Sequence, residues 1–293
     1  MKIGIDLGGS HIAVGVVTDE GKVIAKKEEN ISFVEIDKAQ IKGVIRDKIL
    51  SLINHVTKQL QVPIFIIEQI GIGIPGVVEN NLIVAIKKYG IYNWDLAKEI
   101  EEHYKIDVKI SNDAVCSIRA EKEYGSLKGE KNAVFMCLGT GIGSAIIADN
   151  KIYESEIGHM VIQKDGNSCN CGRNGCFETY ASMYKFKKDI IELLNLSQDT
   201  ESEEILQILK SKKDNENINK YIDEYLNYLV IGISNIINIL KPEVICIGGS
   251  FVHYEEIMFN KLIEKLKNSV IQYELPKIVL SSLKNDAGII GAV

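Results

Sequence analysis

Lys2-Ile-Gly-Ile-Asp6-Leu-Gly-Gly-Ser10-His-Ile-Ala-Val-Gly-Val-Val-Thr18 opens the chain with two apolar runs on either side of a paired-glycine turn. Short runs of Ile, Val and Leu bounded by turn residues read as strands. The first spans 2–7 and the second 12–18, and a third at 22–27 follows Glu20-Gly21, so the chain begins as a meander. The period then changes. Ile41, Ile45, Ile49, Leu52, Val56 and Leu60 recur at steps of four or three, one stripe of a long helix that Pro63 closes. A strand at 69–74 running into Ile74-Pro-Gly-Val77, a helix with Leu96 and Ile100 turned inward, and a strand at 108–111 make an α/β alternation.

A helix from Asp113 to Tyr124 stops at Gly125, and strands at 133–138 and 144–148 flank another Gly-rich turn, where a second lobe begins. Residues 197–219 are dense in Glu, Lys, Asp and Asn, with a thin apolar repeat at Ile205, Leu206 and Leu209, and read as a solvated helix and loop. The apolar helix at 221–240 carries Asp223, Glu224, Asn227, Asn235 and Asn238, a composition for a buried core helix and not for a lipid-facing span. Strand 244–247, helix 255–267 and strand 277–280 close the pattern, and no tandem repeat of short period is present. We expect an α/β chain of two lobes. Residues 1–112, completed by a C-terminal helix at 286–293, form the first; residues 113–293 form the second and carry a metal module at 156–178.

Composition narrows the function classes. At 293 residues, 46% hydrophobic and 25% charged, the chain has the make-up of a soluble globular protein with room for two cores. A net charge of -6 leaves no excess of Lys or Arg to neutralise a phosphate backbone, which excludes nucleic acid as the main partner and favours a small molecule. No cationic segment with an apolar stretch and cleavage site precedes the first strand, so the chain reads as cytoplasmic with no membrane role. Six cysteines in such a setting are not a disulfide framework, and three of them crowd between Cys169 and Cys176.

The chemistry-bearing residues follow. Gly8-Gly9-Ser10 after Asp6 lets backbone N–H groups approach an anion, although a plain hairpin turn has the same composition. Gly139-Thr140-Gly141-Ile-Gly143 and Gly248-Gly249-Ser250 each follow a strand, where α/β sheets bind ligands, and the three turns together imply a nucleotide. None has the spacing of a Lys-containing phosphate loop or of a dinucleotide fingerprint. Asn112-Asp113 sets a carboxylate at a strand-to-helix junction, a position for a general base, although the residues alone favour a helix cap there. His159, Cys169, Cys171 and Cys176 offer one imidazole and three thiolates, with Gly166, Gly172 and Gly175 allowing tight turns, a closed structural zinc site. Folding that loop about zinc aims Glu156 and Glu178 at one spot, and an imidazole bound through one nitrogen keeps the other for a substrate hydroxyl. Cys116, Cys137 and Cys246 read as core residues, and His11, His55, His103 and His253 as lone surface or cap residues.

In order along the chain, Asp6-Leu-Gly-Gly-Ser10, Gly73-Ile-Pro-Gly76, Asn112-Asp113-Ala, Gly139-Thr-Gly-Ile-Gly143, Glu156-Ile-Gly-His159, Cys169-x-Cys-Gly-x-x-Gly-Cys176-x-Glu178, Ile247-Gly-Gly and Asp286-Ala-Gly-Ile-Ile-Gly-Ala292 resemble the ROK family of sugar kinases. That family includes glucokinases, fructokinases and N-acetylmannosamine kinases, and sugar-responsive repressors related to them. The resemblance implies an actin-like fold of two ribonuclease H-like lobes around a cleft that closes on the sugar and excludes water. It implies Asp113 as the base that activates a sugar 6-hydroxyl, with Gly76, Asn112, Glu156, His159 and Glu178 around the ring. Asp6 would hold hydrated Mg2+, Gly8, Gly9, Ser10, Gly139, Thr140, Gly141 and Gly143 would grip the phosphates of ATP, and Gly248 and Gly249 would lie beside the adenosine. A homodimer is implied as well.

Several positions depart from the family pattern. Ser10-His11 stands where Thr-Lys is usual, Ser144-Ala145 follows the turn in place of further glycine, and Lys87-Lys88 replaces the Pro-Asn of many glucokinases. The final helix is shorter than is common. Glucose or a related hexose is the first expectation for the substrate, with N-acetylmannosamine, fructose, allose or a β-glucoside as alternatives. A repressor relative is disfavoured by the acidic balance, by the strand at the very start of the chain and by the retained Asp113; a silent sugar sensor is disfavoured by Asp6 and Asp113.

Overall fold

In the computed structural model, which describes residues 1–9, 11–31, 37–269 and 274–293 and the backbone alone at 88, the opening meander forms as β1 (Lys2–Leu7), β2 (His11–Val17) and β3 (Val23–Asn30). The helical stripe follows in α1 (Ile41–Gln59), which buries Ile41, Ile45, Ile49, Leu52, Ile53 and Val56. β4 (Gln69–Ile74) runs parallel to β1, and all of its last five residues are buried, as in a strand covered on both faces. Three short strands not anticipated from the sequence come next, β5 (Val77–Glu79), β6 (Leu82–Ile86) and β7 (Ile91–Trp94), which form their own sheet. Asn80 and Asn81 turn β5 into β6, both with positive φ (49° and 67°), the conformation that a tight hairpin demands and that Asn tolerates. Then α2 (Leu96–Tyr104), capped by the Asp95 carboxylate on the Lys98 N–H at 3.2 Å, leads to β8 (Asp107–Asn112) and α3 (Asp113–Tyr124).

The first sheet has the order β3-β2-β1-β4-β8. Gly15, Gly4 and Gly71 are direct neighbours across β2, β1 and β4, and together they make a bare strip. On it lies the C-terminal helix Ala287–Gly291. A side chain at Gly4 would strike the carbonyl oxygen of Ile289, and one at Gly71 the carbonyl oxygen of Ala292, so only glycine lets backbone meet backbone here. The Arg119 guanidinium of α3 donates to the Gly291 carbonyl at 2.7 Å and holds the other side of the same helix.

The chain divides into two units, Met1–Gly129 with Ile152–Glu154 and Ser282–Val293, and Glu130–Lys151 with Ser155–Ser281. The division falls after α3 and not before it, because Ala114, Cys116, Ile118 and Ala120 turn that helix's buried face to β4 and the C-terminal helix.

In a second sheet β9 (Ala133–Leu138), β10 (Ile142–Ala148), β11 (Lys151–Ser155), β12 (Val244–Gly249) and β13 (Lys277–Leu280) lie in the order β11-β10-β9-β12-β13. The first strand is antiparallel to the second and parallel to the fourth, the plan of the first sheet repeated. The helices of the second unit are α4 (Glu178–Ala181), α5 (Met183–Leu194), α6 (Ser202–Ser211), α7 (Glu216–Leu240) and α8 (Glu255–Ser269). α7 starts earlier than its apolar pattern, because the Asn215 side chain caps it by accepting the Ile218 N–H at 3.1 Å. Ile205, Leu206 and Leu209 of α6 are buried in the core, so the thin repeat seen in the charged segment is a packing face. Cys116 and Cys246 are buried as expected, and Cys137 is half-buried. Among the described residues no helix is long and apolar enough to cross a membrane.

Candidate functional site

The first unit gathers one set of candidate residues. Asp6 pairs across the sheet with Gly73, and Gly73 with Ser111, so the ends of β1, β4 and β8 lie side by side. Gly73 has no side chain to block the way: a β-carbon there would be 3.2 Å from the Cys116 sulfur and 3.5 Å from the Asp113 Cα. Burial pushes the Cys116 thiol up to about 12, and the nearby carboxylates of Asp6 and Asp113 push in the same direction. Asn112 is the N-cap of α3. Its side-chain oxygen accepts the Ala114 N–H at 2.9 Å and the Val115 N–H at 3.3 Å, and its amide donates to the Gly76 carbonyl at 3.2 Å. Asp113 is therefore the first helical residue, with one oxygen accepting the Ala114 N–H at 2.8 Å. Asn112 thus holds the cap position, one residue earlier, and shares the Ala114 N–H with Asp113.

The glycine turn after Asp6 closes with the Gly8 N–H donating to the His11 carbonyl at 2.9 Å. Gly9 continues that turn, while Ser10 lies outside the described residues. Two further residues join the set: His11, expected to be a lone surface or cap residue, is paired with Asp6, and Tyr89 was not anticipated. His11 brings its Nε2 to 3.8 Å from the Asp6 carboxylate, and that charge raises the imidazole pKa above its ordinary value, against the opposing effect of burial. Tyr89 is buried and donates its hydroxyl to the Gly8 carbonyl at 3.0 Å; burial, with Asp113 nearby, drives its own pKa up. A signal for Tyr89 was present, since Gly90 beside it holds a φ of 66° and ends a short turn that points an aromatic ring inward.

The second unit holds the cysteine cluster. Ligand atoms of His159, Cys169, Cys171 and Cys176 all lie within 4.8 Å of one another. Zinc–sulfur bonds of ~2.3 Å at tetrahedral angles set thiolates roughly 3.8 Å apart, and the Cys171 and Cys176 sulfurs are separated by 3.5 Å. One imidazole and three thiols at this spacing fit a closed tetrahedral zinc site. The Arg173 backbone N–H pulls the Cys171 thiol down to about 6, whereas burial raises Cys169 and Cys176. The module is seated through Phe177, fully buried against Gly232 of α7, where any side chain would collide with the ring.

Around this cluster the predicted carboxylates take different positions. His159 turns Nδ1 to the Cys169 sulfur at 3.5 Å and Nε2 toward the Glu156 carboxylate at 3.8 Å. Glu156 is largely exposed. Glu178, at the start of α4, has one oxygen 3.4 Å from His159 Nδ1 and 3.2 Å from the Cys169 sulfur, and the other accepts the Ile142 N–H at 3.4 Å. Glu178 therefore joins the metal module to the turn Gly139-Thr140-Gly141. In that turn the Gly139 N–H donates to the Gly141 carbonyl at 3.0 Å, and Gly143 already lies in β10, paired with Cys137. Gly248 and Gly249 end β12. They are packed closely, Gly248 on the Phe135 ring and Gly249, at a φ of 73°, on the Leu138 backbone.

Comparison with known proteins fits this arrangement. The ROK family model matches residues 2–293. A glucokinase of Thermotoga maritima is 30% identical, over 99% of this chain and 95% of that protein. A xylose repressor of Bacillus spizizenii is 29% identical, over 99% of this chain and 75% of the repressor. Among solved structures, a ROK family glucokinase from Streptomyces griseus in complex with glucose and AMPPNP matches with a TM-score of 0.84 over 99% of this chain and 97% of that one, at 22% identity, a likeness of fold. Matched along nearly its whole length, the chain belongs to the ROK family.

Proposed function

We propose that this chain is an ATP-dependent sugar kinase that phosphorylates a hexose hydroxyl, the 6-hydroxyl of glucose or a close relative, with Asp113 as general base. One observation carries the reading. Asn112 holds the cap position of α3, and the Asp113 carboxylate, with one oxygen on the Ala114 N–H, stands at a strand-to-helix junction beside the strand ends that carry Asp6 and Gly73. The glucokinase relative from Thermotoga maritima supports the same reading.

In the proposed reaction the Asp113 carboxylate takes the proton of the sugar hydroxyl as its oxygen bonds to the γ-phosphorus of ATP. The bond from that phosphorus to the β-phosphate oxygen breaks, ADP leaves, and the proton passes from Asp113 to solvent. Gly76, Asn112, Glu156, His159 and Glu178 hold and orient the ring by accepting from and donating to its hydroxyls. Gly8, Gly9, Ser10, Gly139, Thr140, Gly141 and Gly143 would grip the phosphates, with Gly248 and Gly249 beside the adenosine. Bound magnesium supplies neutralisation of phosphate charge, and Asp6, part-exposed at a strand end, would hold it through water. Zinc on His159, Cys169, Cys171 and Cys176 keeps His159 and Glu178 in place and takes no part in the chemistry. A cytoplasmic setting keeps these thiols reduced.

The xylose repressor relative favours a second reading, a sugar-responsive regulator that binds without turnover. A coupled assay of ADP release over glucose, mannose, fructose, allose, N-acetylmannosamine and xylose separates the two. Sugar-dependent release with at least one supports the kinase. Binding of a sugar by calorimetry with no release from any of them supports the regulator and ends the kinase reading.

A further inference from the structure

Resting on the kinase reading, we infer that Tyr184 is the surface on which the nucleoside base of the phosphate donor stacks. In α/β sheets ligands bind beyond the carboxyl ends of parallel strands. β9 and β12 are neighbouring parallel strands, with Gly249 paired to Leu138 at their ends. Immediately past Leu138 comes Gly139, where a side chain would meet nothing within 4 Å, so open space adjoins the turn. Gly248 and Gly249, by contrast, are packed by Phe135 and Leu138. The open side of this strand pair is therefore the Gly139 side.

Tyr184 is fixed at that opening. Its backbone N–H donates to the Gly139 carbonyl at 3.1 Å. Ser182 caps α5 by accepting the Lys185 N–H at 3.2 Å, and Met183 is buried in the core. The next residue is consequently presented outward, and Tyr184 is 61% exposed. A single exposed aromatic needs no explanation in itself. This one is tied by its own backbone to the glycine turn at the open strand end, next in line to whatever the turn binds. Every base has a π-face, so a stacking platform reads ring area and not edge pattern. Purine donors other than ATP are then accepted with little discrimination.

The test uses the full chain, with binding of Mg-ADP and of pyrophosphate measured by calorimetry for wild type, Tyr184→Ala and Tyr184→Phe. The alanine variant binds ADP about ten-fold more weakly, the loss of one stacked base. It keeps wild-type pyrophosphate affinity, sugar affinity and Tm, and the phenylalanine variant recovers most of the ADP affinity. Equal ADP binding by wild type and Tyr184→Ala overturns the inference, as does an equal loss on pyrophosphate, which would place the effect on the turn. Wild-type protein that binds ADP but never turns over a sugar overturns the kinase reading alone, and wild-type protein that binds no ADP overturns both.

Discussion

The side-chain amide of Asn112 donates to the carbonyl oxygen of Gly76 at 3.2 Å, while its oxygen caps α3. One side chain thus links the end of β4 to the helix that begins with Asp113. Asn112→Ala removes a cap worth about 0.5–2 kcal/mol and leaves the Gly76 carbonyl without this donor. Thermal unfolding should show a Tm lowered by several degrees. Asn112→Asp keeps the cap acceptor and should recover most of that loss; an alanine variant as stable as wild type would count against the linkage.

Two glycines in the first unit should respond in opposite ways to alanine. At Gly71 a β-carbon meets the Ala292 carbonyl, a backbone atom that cannot swing aside, so Gly71→Ala should destabilise by roughly 1–3 kcal/mol or more. Gly43 lies in α1 with nothing within 4 Å of a β-carbon, and Gly43→Ala should stabilise by about 0.5–1 kcal/mol. Urea midpoints with unchanged slopes would register both shifts. Equal effects would mean that the glycine strip is not required.

How much of this was legible in the sequence depended on how local each signal is. The helix at 113–124 and the strands at 133–138 and 277–280 were read at their true bounds, because a cap, a Gly125 stop or a dense apolar run marks each end. The metal cluster was legible for the same reason, since its ligands span few residues. The β5–β7 sheet was missed because strands of three to five residues carry little periodicity, although Asn80-Asn81 announced its turn. Tyr89 and Gly8 are 81 residues apart, and His11 meets Asp6 only when the hairpin closes. Gly90 marks the turn at Tyr89, but neither contact is written in a local pattern. The glycine strip at Gly4, Gly15 and Gly71 looks like weakness in three strands until the C-terminal helix lands on it.

His11 and Asp6 give the fold a pH signature. The folded imidazole titrates above its ordinary 6.5, so the pair's contribution is fully present below that value and is lost as pH rises through the raised one. With magnesium and nucleotide left out, His11→Gln should lower Tm on the acid side of 6.5 and have a vanishing effect in alkaline buffer. A gap that is constant across pH would mean that the imidazole charge is not engaged.

Metal analysis of freshly purified protein should find one zinc per chain on His159, Cys169, Cys171 and Cys176. Removal by a chelator should expose the loop from Glu156 to Glu178 to proteolysis and raise the sugar KM more than it lowers kcat, since metal binding and local folding are linked. Re-addition of zinc should restore both. Zinc-free protein with full activity and an intact loop would refute the structural role.

The most direct measurement is the turnover of Asp113→Asn with the best sugar of the panel, alongside its sugar Kd. A general base is worth about 10²–10⁴-fold, and asparagine keeps the size of the side chain while it cannot take the hydroxyl proton. The account predicts near-normal sugar binding with kcat reduced by two or more orders of magnitude; kcat within a few-fold of wild type would contradict it.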